Sequence, residues 1–120
     1  MYAYSARVIR WIDGDTVDLR VDLGFRTFVE TRFRLYGIDT PERGQANHDK
    51  ATALCNVLAP VGSEVFIRTH KDPDKYGRWL ADVRGPIVEL DTTEGVNINE
   101  RLVEFGLAVR YFGGTKAPVA

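Results

Sequence analysis

The chain has 120 residues, of which 44% are apolar. This length and composition predict one domain spanning 1–120 with a hydrophobic core of ordinary size. It carries neither an apolar stretch of about 20 residues, as a membrane span requires, nor a signal-peptide start, so we expect a cytoplasmic protein without membrane contact unless a targeting segment was removed. A net charge of −1 excludes a broad electrostatic field for nucleic acid, and the single cysteine, Cys55, excludes an internal disulfide.

Three β-strands are predicted in the first third of the chain. Residues 6–12 form the first, which ends at the turn Asp13-Gly14. Apolar and polar residues alternate over 16–23, the period of a strand with one face in water. A third strand covers 28–36. Short turns between these strands indicate an antiparallel meander.

A helix is predicted next, because apolar residues recur at positions i, i+3, i+4 and i+7. These residues are Ala51, Leu54, Cys55 and Leu58. We expect Asn47 or Asp49 to cap its start, and Pro60 with Gly62 to end it. The position of Cys55 within this apolar stripe predicts a buried thiol rather than a nucleophile.

Two further strands, a second helix and a tail complete the prediction. The strands cover 65–69 and 79–83, on either side of a polar loop over 71–75. Asn97 and Glu100 have the spacing of a capping box, and Gly106 is a natural end for that helix. Its apolar stripe consists of Ile98, Leu102 and Phe105.

The order of elements, β-β-β-α-β-β-α, predicts an α+β fold that is mainly β. Five short strands avoid open edges by closing, so we expect a five-stranded OB-like β-barrel with two packed α-helices. The compact core should cover about 5–112, with a flexible tail over 113–120.

Three polar clusters follow predicted strand ends. In the first, Asp13 and Asp15 flank Gly14, an arrangement that suits either an ordinary hairpin turn or a hard cation that prefers oxygen ligands. The second contains Arg34, then Asp39, Thr40, Pro41 and Glu42, and would otherwise be a charged surface loop. The third is Lys75-Tyr76-Gly77-Arg78, which would otherwise be a turn of solvated charges.

Taken together, the three clusters indicate phosphodiester cleavage. A divalent ion can neutralise the phosphate, and a carboxylate can accept the proton of the attacking water. Fixed cations can stabilise the charge of the transition state, and twelve of the sixteen basic residues are arginine, whose fork matches two phosphate oxygens. Any grip on phosphate should therefore be local and geometric.

The ordered motifs also resemble a known family. Asp-Gly-Asp-Thr, an arginine five residues before Asp-Thr-Pro-Glu, and then Lys-Tyr-Gly-Arg are similar to the pattern of the staphylococcal nuclease (thermonuclease) family. The resemblance covers about 8–107. It implies a Ca²⁺-dependent nuclease that cleaves the 5′ P–O bond of DNA and RNA and leaves 3′-phosphates. We expect a monomer whose partners are these nucleic acids.

The resemblance also implies a role for each matching residue. Asp15 and Asp39 would ligate Ca²⁺ through carboxylates, and Thr40 would do so through its carbonyl oxygen. Arg34 and Arg78 would hold the scissile phosphate and stabilise the transition state. Glu42 would orient or deprotonate the attacking water. The substrate-binding residues would be Lys75 and Tyr76, with Tyr76 contacting a terminal phosphate.

Two other functions fit the same fold. A catalytically silent nucleic-acid- or protein-binding module usually lacks an arginine or a metal-binding carboxylate, whereas this chain retains the complete set. A generic single-strand-binding OB-fold requires a basic groove with exposed aromatic side chains. Tyr36, Tyr76 and Trp79 could serve there, but the net charge of −1 argues against this function.

Overall fold

The computed structural model describes residues 2–70, 78–85 and 96–111. The strands in these ranges are β1 (Tyr2–Asp13), β2 (Thr16–Asp22), β3 (Phe28–Leu35), β4 (Ile38–Asp39), β5 (Glu64–Thr69), β6 (Trp79–Arg84) and β7 (Val109–Arg110). The helices are α1 (His48–Leu58) and α2 (Ile98–Glu104). Neither helix is long and apolar enough to cross a membrane.

Five of the strands close into a barrel in the order β1-β2-β3-β6-β5. The β3–β6 pair is parallel, and the other neighbouring pairs are antiparallel. Closure gives each of the five strands a neighbour on both sides, which is the reason the barrel was expected, although β3 pairs with β6 only at Phe33, Arg34 and Leu35. The prediction of an OB-like barrel with two helices is confirmed.

The alternation in β2 places one face in the barrel interior. Val17, Leu19 and Val21 are fully buried there, while Arg20 between them is exposed. β1 begins four residues before the predicted start, because its first residues pair with β5, with Tyr2 opposite Thr69. That pairing involves a strand more than sixty residues away, so the local pattern does not reveal it.

The start of α1 differs from the prediction in its chemistry. Asn47 occupies the N-cap position, but its backbone is left-handed, with φ 69°, and its side chain makes no capping hydrogen bond. Ala51 and Cys55 are completely buried, as expected for the apolar stripe. The predicted burial of Cys55 is confirmed, and this burial raises the pKa of its thiol.

The ends of α2 follow their sequence signals. The Asn97 side chain accepts a hydrogen bond from the Glu100 backbone N–H at 3.1 Å. Gly106, with φ 71°, and Leu107 donate their N–H groups to the carbonyls of Val103 and Leu102, which is the Schellman pattern. The prediction for Phe105 was wrong: its side chain is exposed, because the helix ends there and the ring lies beyond the buried face.

A second, two-stranded sheet was not predicted. β4 pairs with β7, with Ile38 opposite Arg110 and Asp39 opposite Val109. Two residues are too few to show a strand period, so no sequence pattern announces this sheet. It matters because it fixes the backbone at Asp39. The predicted loop 71–75 and tail 113–120 lie outside the described residues.

Candidate active site

Two carboxylates and one arginine converge beside the end of β3. The register of β2 and β3 places Thr16 opposite Arg34, and the Leu35 N–H donates to the Asp15 carbonyl at 2.8 Å. The chain then turns through Gly37, with φ 76°, and brings Asp39 back toward the same arginine. Arg34 Nη2 lies 3.3 Å from Asp39 Oδ1 and 3.6 Å from Asp15 Oδ2.

Asp15 is a buried carboxylate with several polar neighbours. Its Oδ2 accepts from the Thr40 N–H at 3.3 Å, and its Oδ1 accepts from the Thr16 hydroxyl at 3.1 Å. Burial nevertheless raises the pKa of Asp15, against the opposing effects of Arg34 and the Thr40 N–H. The polar neighbours therefore do not fully offset the cost of burying the ionised carboxylate. An additional cation nearby would stabilise that ionised form.

The donor set fits a hard divalent cation with partial protein coordination. Asp15 and Asp39 each supply a carboxylate oxygen within 3.6 Å of Arg34 Nη2, and Thr40 follows Asp39 directly in the chain with a backbone carbonyl. Within the described residues, no group of three or more His, Cys, Asp or Glu side chains could hold a metal ion. A bound Ca²⁺ would therefore need backbone and water oxygens as well, which Ca²⁺ accepts readily.

Glu42 is held by its backbone. Its N–H donates to the Gln45 side-chain oxygen at 2.7 Å, and the Gln45 N–H donates back to the Glu42 carbonyl at 2.9 Å. The residue itself is exposed. This tight turn fixes where the loop after Pro41 leaves the site, while the carboxylate stays accessible to water.

Arg78 lies directly before β6, which pairs in parallel with β3. Its backbone therefore lies beside the strand that carries Arg34, and the residue is half-buried. Contacts of 3.3 to 3.6 Å join Asp15, Arg34, Asp39 and Thr40 into one cluster. Lys75 and Tyr76 lie outside the described residues.

The two carboxylates of the first cluster have different partners. Asp13 turns away from Arg34 and contacts His48 Nε2 at 3.0 Å. His48 Nδ1 lies 3.1 Å from Asp49, and the hydrogen bonds to Asp13 and Asp49 raise the pKa of this histidine. Asp13 thus ties the end of β1 to the start of α1 and leaves Asp15 as the carboxylate of the site.

Tyr111 adjoins the site, although the sequence analysis assigned it no role. The Arg34 guanidinium lies 5.8 Å from the centre of the Tyr111 ring, within the range of a cation–π contact. The Tyr111 N–H donates to the Gly37 carbonyl at 2.8 Å, so the turn after β3 positions this ring. The sequence alone could not place this ring beside Arg34, because Tyr111 directly follows β7 and β7 pairs with β4.

Asn99 is a second residue that the sequence analysis missed. It is 2% exposed, and its Oδ1 accepts from the Val83 N–H at 3.1 Å. Its Nδ2 donates to the Tyr36 carbonyl at 3.0 Å and to the Ala81 carbonyl at 3.2 Å. One amide therefore joins α2 to β6 and to the turn that leads from Arg34 to Asp39. The available signal was its place beside the apolar Ile98 in the first turn of the helix.

Comparison with known proteins adds an independent observation. A family model described as "Staphylococcal nuclease homologue" matches residues 32–118. The micrococcal nuclease of Shigella flexneri is 37% identical over 113 residues, which cover 92% of this chain and 61% of that protein. Protein ParB of Escherichia coli is 36% identical over 106 residues, which cover 87% of this chain and 55% of that protein. The chain therefore spans less than two thirds of the length of either relative.

Proposed function

The chain belongs to the staphylococcal nuclease family, and from that membership we propose that it is a Ca²⁺-dependent nuclease. It hydrolyses phosphodiester bonds of DNA and RNA, breaks the 5′ P–O bond and leaves 3′-phosphate products. The observation that carries the proposal is the contact of the Arg34 guanidinium with both Asp15 and Asp39. This contact places a phosphate-binding fork beside two oxygen ligands for a hard cation.

In the proposed enzyme, Asp15, Asp39 and the carbonyl of Thr40 hold Ca²⁺. An ion bound there would neutralise phosphate charge. The burial that raises the pKa of Asp15 supports this assignment, because a nearby cation favours the ionised carboxylate. Asp39 is less buried than Asp15.

Arg34 binds two oxygens of the scissile phosphate through its fork. Its contacts with two carboxylates hold the guanidinium in place before the substrate arrives, so little side-chain freedom is lost on binding. Arg78, at the start of the neighbouring β6, supplies a second cation as negative charge builds up on phosphorus. Lys75 and Tyr76 bind the remainder of the substrate, and this part of the proposal rests on the family resemblance.

Glu42 accepts the proton of the attacking water in this proposal. The water oxygen forms the new bond to phosphorus, the P–O5′ bond breaks, and the 5′-oxygen leaves as a hydroxyl after taking up a proton from solvent. The exposed position of Glu42 supports the role, because a general base needs access to a water molecule. The hydrogen bonds to Gln45 hold the backbone of this residue in a turn that follows Thr40 and Pro41 in the chain.

The decisive experiment compares cleavage of single-stranded DNA in Ca²⁺, in Zn²⁺ and in EDTA. We expect fragments with 3′-phosphate ends in Ca²⁺, little cleavage in Zn²⁺, and none in EDTA, because the site offers hard oxygen ligands. Equal cleavage in EDTA would contradict the proposal. Binding without cleavage in Ca²⁺ would instead favour the catalytically silent module. The cytoplasmic location and the monomeric state stay predictions.

A further inference from the structure

Arginine side chains crowd the outer face of the β1–β2–β3 meander. This surface, here called the arginine face, consists of the exposed outward residues Arg7, Arg10, Arg20 and Arg32. The hairpin between β2 and β3 adds Arg26 at its tip. The acidic residues among them are Asp18, Asp22 and Glu30. Five arginines against three acids make this region net positive, although the whole chain carries −1.

The arginine face is continuous with the candidate active site. Side chains two residues apart on a strand point to the same side, so Arg32 and Arg34 share the outer side of β3. Opposite Arg32 lies Asp18, whose carboxylate accepts from Arg32 Nε at 2.8 Å and from Arg10 Nε at 3.1 Å. Two arginines on one carboxylate leave a local excess of positive charge. This excess begins beside the arginine that we assign to the scissile phosphate.

The far end of the face carries exposed aromatic rings. Phe25 at the hairpin tip is fully exposed, and Phe28 at the start of β3 is 47% exposed. The Arg20 guanidinium lies 4.3 Å above the centre of the Phe28 ring. Along the strand, Phe28 lies six residues from Arg34, a distance of about 20 Å.

Folding does not account for Phe25. Its ring buries nothing, and its backbone is left-handed, with φ 55°, a conformation that disfavours bulky residues. The neighbouring Arg26 is also left-handed, with φ 59°. Asn or Gly would fit the turn better than Phe or Arg at both positions. An exposed phenyl ring at a costly position is explained if the ring contacts another molecule.

We propose that the arginine face and the hairpin tip bind the single-stranded nucleic acid that flanks the cleaved bond. The arginines follow the phosphates, and Phe25 stacks on a base at the hairpin tip, beyond Phe28. A single strand fits better than a duplex, because only unpaired bases offer their faces for stacking. The outer face of strands 2 and 3 is also where OB-folds bind oligonucleotides. This inference rests on the proposed nuclease function and assigns its substrate a preferred form and length.

Binding can be measured without cleavage. A fluorescent single-stranded DNA of about 15 nucleotides, within the range that OB-folds cover, is titrated with the protein in EDTA at low salt. We expect Phe25→Ala to weaken binding roughly tenfold, the usual effect of losing one stacked base. Arg20→Ala should weaken it several-fold and reduce the slope of log K against log salt by about 0.7, as for one lost phosphate contact.

Matched controls lie on α2, which packs against β6 and α1. Phe105→Ala removes an exposed phenyl ring and Arg101→Ala removes a surface guanidinium, and both should bind the strand as the parent does. Parental affinity in both Phe25→Ala and Arg20→Ala would overturn the inference. The inference would also be overturned if duplex DNA of the same sequence bound as tightly as the single strand and if Phe25→Ala left the affinity for that duplex unchanged. Anionic lipid vesicles serve as the alternative ligand. If Phe25→Ala weakens binding to the vesicles and leaves binding to single-stranded DNA unchanged, the arginine face is a membrane-binding surface and the inference is overturned.

Kinetics in Ca²⁺ separate this inference from the proposed function. The quantity compared is the ratio of kcat/KM for the long single-stranded DNA to kcat/KM for a dinucleotide. In Phe25→Ala this ratio should fall several-fold through a higher KM for the long substrate, because only the long substrate reaches the arginine face. Cleavage by the parent with an unchanged ratio in the variant would overturn the inference alone. Absence of cleavage by the parent would overturn the nuclease function, whereas the binding titration would still decide whether the face holds a single strand.

Discussion

Arg34 contacts Asp39 at 3.3 Å and Asp15 at 3.6 Å, so this one side chain offsets part of the negative charge of two carboxylates. Its planar fork can bind two oxygens at once, whereas a lysine ammonium is a point charge. Residues within the cluster therefore have distinct tasks. Asp15 is buried and structurally fixed, Asp39 lies on a short strand, and Arg34 faces both.

The substitution Arg34→Lys tests the fork. It keeps the charge and loses the paired geometry, so we expect kcat to fall by about 10²–10³-fold, as for the loss of one transition-state donor. Arg101→Lys is the matched control, because that arginine lies on the surface of α2 beside Glu104. The measurement is the rate of single-stranded DNA cleavage at saturating Ca²⁺. A near-parental rate in Arg34→Lys would make this arginine a surface residue without a catalytic role.

At the scale of elements, two contacts fix the strand ends that carry the site. Asn99 joins α2 to β6 and to the turn after β3, while the Asp13–His48 contact joins β1 to α1. Each contact connects segments distant in sequence through a single side chain. The first uses a neutral amide and the second a titratable pair, so their variants should respond differently to pH.

Asn99→Ala should destabilise the protein by about 2–3 kcal/mol. The substitution leaves the Val83 N–H without the Asn99 acceptor and removes one donor from each of the carbonyls of Tyr36 and Ala81, and losing these buried hydrogen bonds has a cost. Asn97→Ala, on the same helix, removes one capping bond and should cost about 1 kcal/mol. Urea unfolding of the two variants measures the difference. A smaller loss for Asn99→Ala than for Asn97→Ala would contradict the positioning role.

The Asp13–His48–Asp49 contacts predict a stability that depends on pH. Because these hydrogen bonds raise the pKa of His48 above its usual 6.5, the folded state binds the proton more tightly than the unfolded chain does. The stabilisation is therefore complete below 6.5 and is lost as the pH rises through the folded pKa. We expect the gap in unfolding free energy between the parent and His48→Gln to shrink between acidic and alkaline buffers. A gap that stays constant or widens with pH would exclude this contribution.

At the scale of the whole molecule, the distribution of charge matters more than its sum. A total of −1 argued against a single-strand-binding surface, yet the closed barrel gathers exposed arginines on one outer face. Strand pairing also collects Asp15 and Asp39 on one side of Arg34. The molecule can thus combine a local anionic site for a cation with a basic surface beside it.

Ca²⁺ should stabilise the folded protein as a whole. Binding only to the folded state adds about 2.7 kcal/mol at a hundredfold excess over Kd, which raises Tm by several degrees in a domain of this size. Asp39→Asn should lose most of this shift, whereas Asp22→Asn, on the exposed end of β2, should keep it. Thermal melting with and without Ca²⁺ gives the comparison. An equal shift in parent and Asp39→Asn would place the ion elsewhere.

Local signals in the sequence were sufficient for most elements and for the motif residues. Alternation over β2, the cap at Asn97 and the left-handed Gly106 depend on neighbours within a few positions, so they could be predicted and are confirmed. Barrel closure also followed, because five short strands in a small domain need partners on both edges. The convergence of Asp15, Arg34 and Asp39 agrees with the order of their motifs, and their roles in catalysis stay proposals.

Contacts between distant segments were decided only by the tertiary structure. The turn sequence does not distinguish Asp13 from Asp15. In the folded protein Asp13 contacts His48 at the start of α1, whereas Asp15 contacts Arg34 on β3. Asn99 is buried because β6 and the turn after β3 present backbone groups to it across the fold. Backbone conformation is set by local sterics and hydrogen bonding, whereas a side chain's partner is set by which remote strand lies beside it. The sequence by itself therefore determined most of the elements, and the packing of the barrel strands and helices determined which of their charged side chains meet.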